Sequence, residues 1–150
     1  DKEIQQMDAE VLLIEDNQYD AWLVQRAFRK NNISSGLHWV KDGQEALDYL
    51  FGKGQYRFRN PLLMPKLILL DLKLPKIDGL DVLKTLREDD RTMNARIVVL
   101  TGSTTDKDRI ATKSWGVDAY WTKPVNEADL LEVLQNIGVD WYFIDNSQAL

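Results

Sequence analysis

The sequence predicts an α/β protein built on a doubly wound, five-stranded parallel sheet, a (βα)5 chain. Three observations predict it. Five short apolar runs recur, at residues 11–14, 37–40, 67–70, 97–100 and 117–121. Segments with helical spacing of apolar residues alternate with them. The runs are continuous rather than alternating polar and apolar, which marks strands buried on both faces and so a parallel sheet between two helix layers.

The elements follow in order. Val11-Leu12-Leu13-Ile14 is the first strand. From Gln18 to Lys30, Ala21, Val24, Ala27 and Phe28 share one helical face, with Asp16 or Asn17 as the cap. Leu37 to Val40 is the second strand, and Asp42 caps a helix that runs to Phe51. Leu67 to Leu70 is the third strand, and Leu80, Leu83 and Leu86 mark a helix that stops near Arg87. Ile97 to Leu100 is the fourth strand, followed by a helix from Asp106 to Ser114 that Trp115-Gly116 closes. Val117 to Trp121 is the fifth strand. Leu130, Val133, Leu134 and Ile137 give the last helix, which Gly138 ends. Right-handed crossovers leave few strand orders. The flavodoxin-like order 2-1-3-4-5 suits five strands and sets strands 1 and 3 side by side at the switch point.

The chain has 150 residues, about one domain's worth. We expect an extension over residues 1–8, a compact domain over 9–138 and a tail over 139–150. The net charge is −5 and the pI is near 4.9, which argues against a nucleic-acid binder working by bulk positive charge. There is no cysteine, so disulfides, thiolate metal sites and cysteine catalysis are excluded. His38 is the only histidine, so a multi-histidine metal cage is excluded too. No apolar stretch approaches the ~18 residues of a membrane span. The polar start, with Met7 near an expected initiation point, carries no export signal, so the expected location is the cytoplasm.

Ligands of such sheets bind at the carboxyl ends of the strands. Strand 1 ends in Glu15-Asp16, strand 3 in Asp71, strand 4 in Thr101, and strand 5 near Lys123. Three carboxylates, a hydroxyl and an ammonium therefore converge on one edge. Carboxylates that close raise one another's pKa unless a cation binds. Hard oxygen donors favour Mg2+ over Zn2+. With that charge screened, Asp71 is a candidate carboxylate nucleophile for a phosphoryl group. Lys123 and Thr101 would then supply charge and a hydroxyl donor to the phosphoryl oxygens. Gly102 has no side chain to block the approach. Each feature alone has a plain structural reading, as a cap, a turn or a loop; the combination at four strand ends is what points to chemistry.

At these residues the chain resembles the receiver domain of two-component response regulators. The matching stretches are Leu13-Ile14-Glu15-Asp16-Asn17, Leu69-Leu70-Asp71-Leu72-Lys73-Leu74-Pro75 through Asp78-Gly79, Val99-Leu100-Thr101-Gly102-Ser103, and Tyr120-Trp121-Thr122-Lys123-Pro124. The separations, 30 residues from Asp71 to Thr101 and 22 from Thr101 to Lys123, are the family's usual ones. The resemblance implies that Asp71 is the phosphoacceptor. It implies that Glu15, Asp16, Asp71 and the Lys73 carbonyl hold Mg2+, with Asp16 the more direct member of the acidic pair. It implies that Thr101 is the switch hydroxyl, that Lys123 is the site's lysine with a cis bond to Pro124, and that Tyr120 is the aromatic that swings inward on activation. The implied function is a stand-alone regulator, not an enzyme in its own right, that assists its own phosphorylation and dephosphorylation. A sensor histidine kinase would be the phosphodonor. Output would pass to a downstream protein or onward by phosphotransfer, as in a phosphorelay, with no direct contact to nucleic acid or membrane.

Two other classes share features with this one. A dehalogenase-type aspartyl-phosphate hydrolase wants a second Asp two residues after its nucleophile, where this chain has Lys73. A flavin carrier wants a Ser/Thr/Gly-rich loop after strand 1, where this chain has Glu15-Asp16-Asn17-Gln18. A receiver that has lost its chemistry would lack one of the required residues, and all are present.

Two decorations stand out. Residues 52–61 form an insertion that resembles the loop of single-domain regulators partnered with bacterial phytochromes, which implies a phytochrome-type kinase. Lys53, Arg57 and Arg59, interleaved with Tyr56 and Phe58, read as a solvated loop, a partner-docking loop or an imitation of a nucleic-acid patch. Of the five tryptophans, Trp22 lies on the first helix, Trp115 and Trp121 lie around the fourth helix and fifth strand, and Trp141-Tyr142-Phe143 follow the last helix. Such rings either cover core edges or form an interface, and we expect an activation-linked homodimer through this region.

Overall fold

The computed structural model describes residues 10–31, 33, 36–102 and 106–136. The five strands are β1 (Val11–Ile14), β2 (Leu37–Val40), β3 (Leu67–Asp71), β4 (Ile97–Thr101) and β5 (Ala119–Thr122). The helices are α1 (Gln18–Lys30), α2 (Gly43–Phe51), α3 (Gly79–Glu88), α4 (Asp106–Ser114) and α5 (Glu127–Asn136). All strand pairs are parallel and the order is β2-β1-β3-β4-β5, as the sequence predicts.

Burial explains the pattern of the runs. The three central strands are wholly buried, while the edge strands β2 and β5 are largely half-buried. Residues of alternating parity feed two cores. Leu12, Ile14, Ile68, Leu70, Ile97 and Val99 face α2 and α3. Val11, Leu13, Leu67, Leu69, Val98 and Leu100 face α1 and α5. A strand covered on both faces has no polar side to show, hence the unbroken apolar runs.

Local chemistry sets the helix starts. Asn17, rather than Asp16, caps α1 by accepting the Asp20 N–H at 2.9 Å. Asp42 caps α2 by accepting the Glu45 N–H at 2.7 Å. Gly52 closes α2 at φ 66°, a left-handed conformation suited to glycine.

The insertion is not a wholly solvated loop, since part of it is structured and buried. Residues Gly54–Tyr56 form a 3-10 turn. Tyr56 is buried, and its hydroxyl donates to Glu45 Oε2 at 2.7 Å and lies 2.8 Å from His38 Nε2. Arg59 is only 3% exposed. Its guanidinium donates to the Tyr49, Leu50 and Leu63 carbonyls and lies 4.2 Å from the Tyr49 ring centroid. Arg59 thus satisfies orphan carbonyls at the end of α2. Of the five basic and aromatic residues, Lys53, Arg57 and Phe58 face solvent.

The tryptophans also separate. Trp115 packs on the α2–α3 side of the sheet and Trp121 on the α1–α5 side, so they are not one cluster. Trp22 is 43% exposed and stacks with Tyr19, their ring centroids 6.0 Å apart. Ser103, the expected helix end at Ile137-Gly138, and Trp141-Tyr142-Phe143 lie outside the described residues.

Candidate functional site

Strand register assembles the site. Ile14 pairs with Leu70, so Glu15 and Asp71 come next on adjacent strands. Asp71 pairs with Leu100, and Thr101 with Thr122, which sets Thr101 and Lys123 one step further along the same edge. The Lys123 N–H donates to the Thr101 carbonyl at 2.8 Å, continuing the ladder past β5. The Lys123–Pro124 peptide bond is cis, as the resemblance implies.

The carboxylates of Glu15, Asp16 and Asp71 each offer an oxygen within 4.8 Å of the others. Glu15 and Asp71 are buried, and Asp16 is exposed. The Lys123 ammonium lies 2.6 Å from Glu15 Oε1, 3.1 Å from Asp71 Oδ2 and 3.0 Å from Asp20 Oδ2. Backbone donors hold the second oxygens of Glu15 and Asp71. The Asn17 N–H reaches Glu15 Oε2 at 3.1 Å, and the Lys73 N–H reaches Asp71 Oδ1 at 3.2 Å. Behind Glu15, the Trp39 indole N–H donates to its carbonyl at 2.7 Å.

Burial, and then the crowding of acids, show in the titration of the site. Burial, then the neighbouring Asp71, push the Glu15 carboxyl from 4.5 up to about 8, against the pull of Lys123 and the Asn17 amide. Burial disfavours the Lys123 ammonium, but Glu15, Asp20 and Asp71 outweigh it and hold its pKa above the usual lysine value. Even with the Glu15 proton in place, one ammonium against Asp16, Asp20 and Asp71 leaves the cluster, among the described residues, short of positive charge. Hard oxygen donors with such a deficit fit a divalent cation of the Mg2+ or Mn2+ type.

Two glycines serve the site differently. A Cβ on Gly79 would lie 2.4 Å from the Asp71 carbonyl oxygen and 2.5 Å from Leu72 Cα, so only glycine lets α3 start this close to β3. A Cβ on Gly102 would meet nothing within 4 Å, which agrees with an open approach beside Thr101. Thr101 is fully buried. Tyr120 is half-buried against the α2–α3 core, with the Arg109 guanidinium 5.4 Å from its ring centroid.

The structure therefore gathers Glu15, Asp16, Asp71 and Lys123 and sets Thr101 beside them. Tyr120 stands two pairing steps inward of the Thr101–Thr122 pair, opposite Val99. Sequence reasoning missed Asp20 and Trp39. Asp20 lies four residues beyond Asp16, in the first turn of α1, a spacing that in a helix returns a side chain to the same face. Trp39 gave no such signal.

A comparison with protein families decides the assignment: the model for the response regulator receiver domain matches residues 11–135. The chain belongs to this family. Among curated relatives, a probable methanogenesis regulatory protein, FilR2 of Methanothrix harundinacea, is 38% identical over 132 residues, covering 87% of this chain and 82% of its own. Response regulator Rcp1 of Synechocystis is 37% identical over 131 residues, 87% of each chain. The Mn2+-bound structure of Rcp1 superposes on this receiver with a TM-score of 0.72 at 36% identity, over 86% of this chain and 91% of its own. The bacteriophytochrome response regulator AtBRR gives a TM-score of 0.78 at 38% identity, over 92% of this chain and 98% of its own. This receiver is thus similar to single-domain response regulators, phytochrome-associated ones among them. Receivers of this family are regulatory rather than catalytic. Among the described residues, no helix is long and apolar enough to cross a membrane.

Proposed function

We propose that this chain is a single-domain response regulator that takes a phosphoryl group onto Asp71 from the phosphohistidine of a sensor kinase. One observation carries the reading. Asp71 ends β3 at the switch point, with two further carboxylates within 4.8 Å and the Lys123 ammonium 3.1 Å away. In the proposed step an Asp71 carboxylate oxygen bonds to phosphorus as the phosphorus–nitrogen bond of the donor breaks. The electron pair of the broken bond stays on the imidazole nitrogen. Lys123 balances charge on the phosphoryl oxygens, and the Thr101 hydroxyl and the amides after Asp71 and Thr101 donate hydrogen bonds to them. Glu15, Asp16, Asp71 and the Lys73 carbonyl are the proposed Mg2+ ligands, and the ion would supply positive charge that offsets the negative charge of the site.

The added charge of about −1.5 to −2 is the proposed signal. Thr101 and Tyr120 would relay it to the surface around α4 and β5. The likeness to the bacteriophytochrome response regulator AtBRR supports a phytochrome-type kinase as donor, and we place the chain with that donor in the cytoplasm. Output through a protein partner or onward phosphotransfer, and a homodimer linked to phosphorylation, complete the reading. The domain is proposed to span residues 9–138, between an extension over 1–8 and a tail over 139–150.

Intact-mass analysis with Mg2+ and a small phosphodonor tests the central step. The expected result is one phosphoryl adduct that requires Mg2+, maps to Asp71 and is lost in Asp71→Asn. An adduct that persists at full stoichiometry in Asp71→Asn removes the assignment. Sedimentation before and after phosphorylation tests the dimer, which an unchanged monomer would exclude.

A further inference from the structure

The Lys123 ammonium has a partner that phosphoryl transfer to Asp71 does not account for. Asp20 Oδ2 lies 3.0 Å from Nζ, as near as the phosphoacceptor itself at 3.1 Å. Asp20 sits in the first turn of α1 and not at a strand end. Its side chain is 27% exposed, against 1% for Glu15 and 6% for Asp71. The ammonium is therefore clamped between two carboxylates on the floor of the site and one on its rim. An acidic residue in a first helical turn has an ordinary role, since the helix dipole favours it there. That role asks for no contact with a lysine on another element.

We propose that Asp20 is a positioning residue: it gives the Lys123 ammonium, which lies nearest Glu15 Oε1 at 2.6 Å, a partner on the rim at 3.0 Å, and so lets a divalent cation take Glu15 and Asp71. The purpose of this device rests on the phosphoacceptor reading of Asp71, but its geometry and its first test do not. The physical basis is competition. A divalent cation and an ammonium that share the same two carboxylates repel each other. With Asp20 present, the ammonium keeps a full carboxylate partner when the cation takes the other two. With a neutral side chain at position 20, the partners left to the ammonium are the oxygens the cation requires. Asp20 thus lowers the cost of having both positive groups in one site, and it acts through Lys123.

A double-mutant cycle read by calorimetric titration with Mg2+ alone tests this. Asp20→Asn is expected to weaken Mg2+ binding about fivefold, the order of effect one charge a few ångströms away has near a protein surface. Asp20→Glu should restore most of the affinity. In a Lys123→Met background, Asp20→Asn should change the affinity by less than about twofold, because the residue it acts through is gone. The 15N–1H signal of the Lys123 ammonium in metal-free protein should shift and broaden in Asp20→Asn, as a clamped ammonium gains exchange with water. A purely structural role would lower the melting temperature of Asp20→Asn and leave the Mg2+ affinity and the ammonium signal unmoved, and that result overturns the proposal. So does an equal loss of affinity with and without Lys123, which would make Asp20 a plain surface charge, and so does a wild-type protein that binds no Mg2+. A wild type that binds Mg2+ yet takes no phosphoryl group would remove the reading of Asp71 while the cycle still decides the role of Asp20.

Discussion

Replacing Glu15 with glutamine should stabilise the metal-free protein at pH 8 relative to wild type, while the two differ little at pH 5. The wild-type side chain is 1% exposed. Burial and Asp71 push its carboxyl from 4.5 to about 8, and Lys123 and the Asn17 N–H pull the other way without prevailing. The folded-state pKa lies above the unfolded one. Between those values the folded protein holds a proton that the unfolded chain has released. The stability linked to that proton is complete below pH 4.5 and is lost as pH rises through 8. Each pH unit in that window is worth up to about 1.4 kcal/mol. From pH 5 to pH 8 the loss is about 4 kcal/mol at the limit, and about 2 kcal/mol where water enters to solvate the ionised group. Glutamine has the size and hydrogen-bonding groups of the protonated acid and no proton to lose. Urea unfolding of both proteins at pH 5, 6, 7 and 8 in chelator gives their difference in stability at each pH, and other titrating groups cancel in that difference. Mg2+ should restore wild-type stability at pH 8, because a bound cation favours the ionised carboxylate. A difference that stays constant from pH 5 to pH 8, or that moves in favour of wild type as pH rises, refutes the reasoning.

Arg59→Ala should cost about 3 kcal/mol in urea unfolding, since a buried guanidinium leaves three carbonyls and the face of Tyr49 without their partner; a loss below about 1 kcal/mol would mean that water replaces it freely. Gly79→Ala should destabilise by about 1–3 kcal/mol and weaken Mg2+ binding, because its Cβ would press on the Asp71 carbonyl 2.4 Å away; unchanged affinity would show that the loop yields without moving Asp71. His38 is half-buried between Tyr49 and Tyr56, and that burial lowers its pKa, with Glu45 opposing. Its folded-state pKa lies below the unfolded 6.5, so the stability it carries is present above pH 6.5 and is lost as pH falls. In a Glu15→Gln background, His38→Gln should therefore flatten the acid side of the stability profile, and an unchanged profile would count against the burial of a neutral imidazole.

The fold was legible because each part of it left a local signal. Runs such as Leu67-Ile68-Leu69-Leu70 are apolar on both sides since both sides are covered. Asp42 and Gly52 bracket α2 with a cap and a left-handed glycine, and both can be read from residue type. The site was legible for the same reason. In a parallel sheet the residues after the strands meet at one edge whatever lies between them, and Glu15, Asp71, Thr101 and Lys123 are all such residues. What escaped was long-range and depended on side-chain reach. Arg59 resembled any solvated loop arginine until its guanidinium met the carbonyls at the end of α2. Trp115 and Trp121 looked like neighbours, but the sheet divides them. Asp20 looked like a first-turn acid, and its contact with Lys123 depends on where α1 leaves the sheet edge.

The charge imbalance at the strand ends follows from topology more than from any single residue. Parallel strands bring all their carboxyl ends to one side, so acidic residues there cannot separate without changing the fold. Glu15, Asp16, Asp20 and Asp71 face a single ammonium. Such a site gains from any added positive charge, and a phosphoryl group of about two negative charges would worsen the imbalance unless positive charge enters with it. On the proposed function, metal binding and phosphorylation would be coupled through the same carboxylates, since a cation that screens Asp71 would also remove the repulsion that an incoming phosphoryl group would meet. Among the described residues, Lys123 is the one ammonium within ion-pair distance of these acids, and three of them share it. Where its ammonium rests therefore sets how much of that repulsion remains, which is why a rim carboxylate on α1 bears on chemistry at the end of β3.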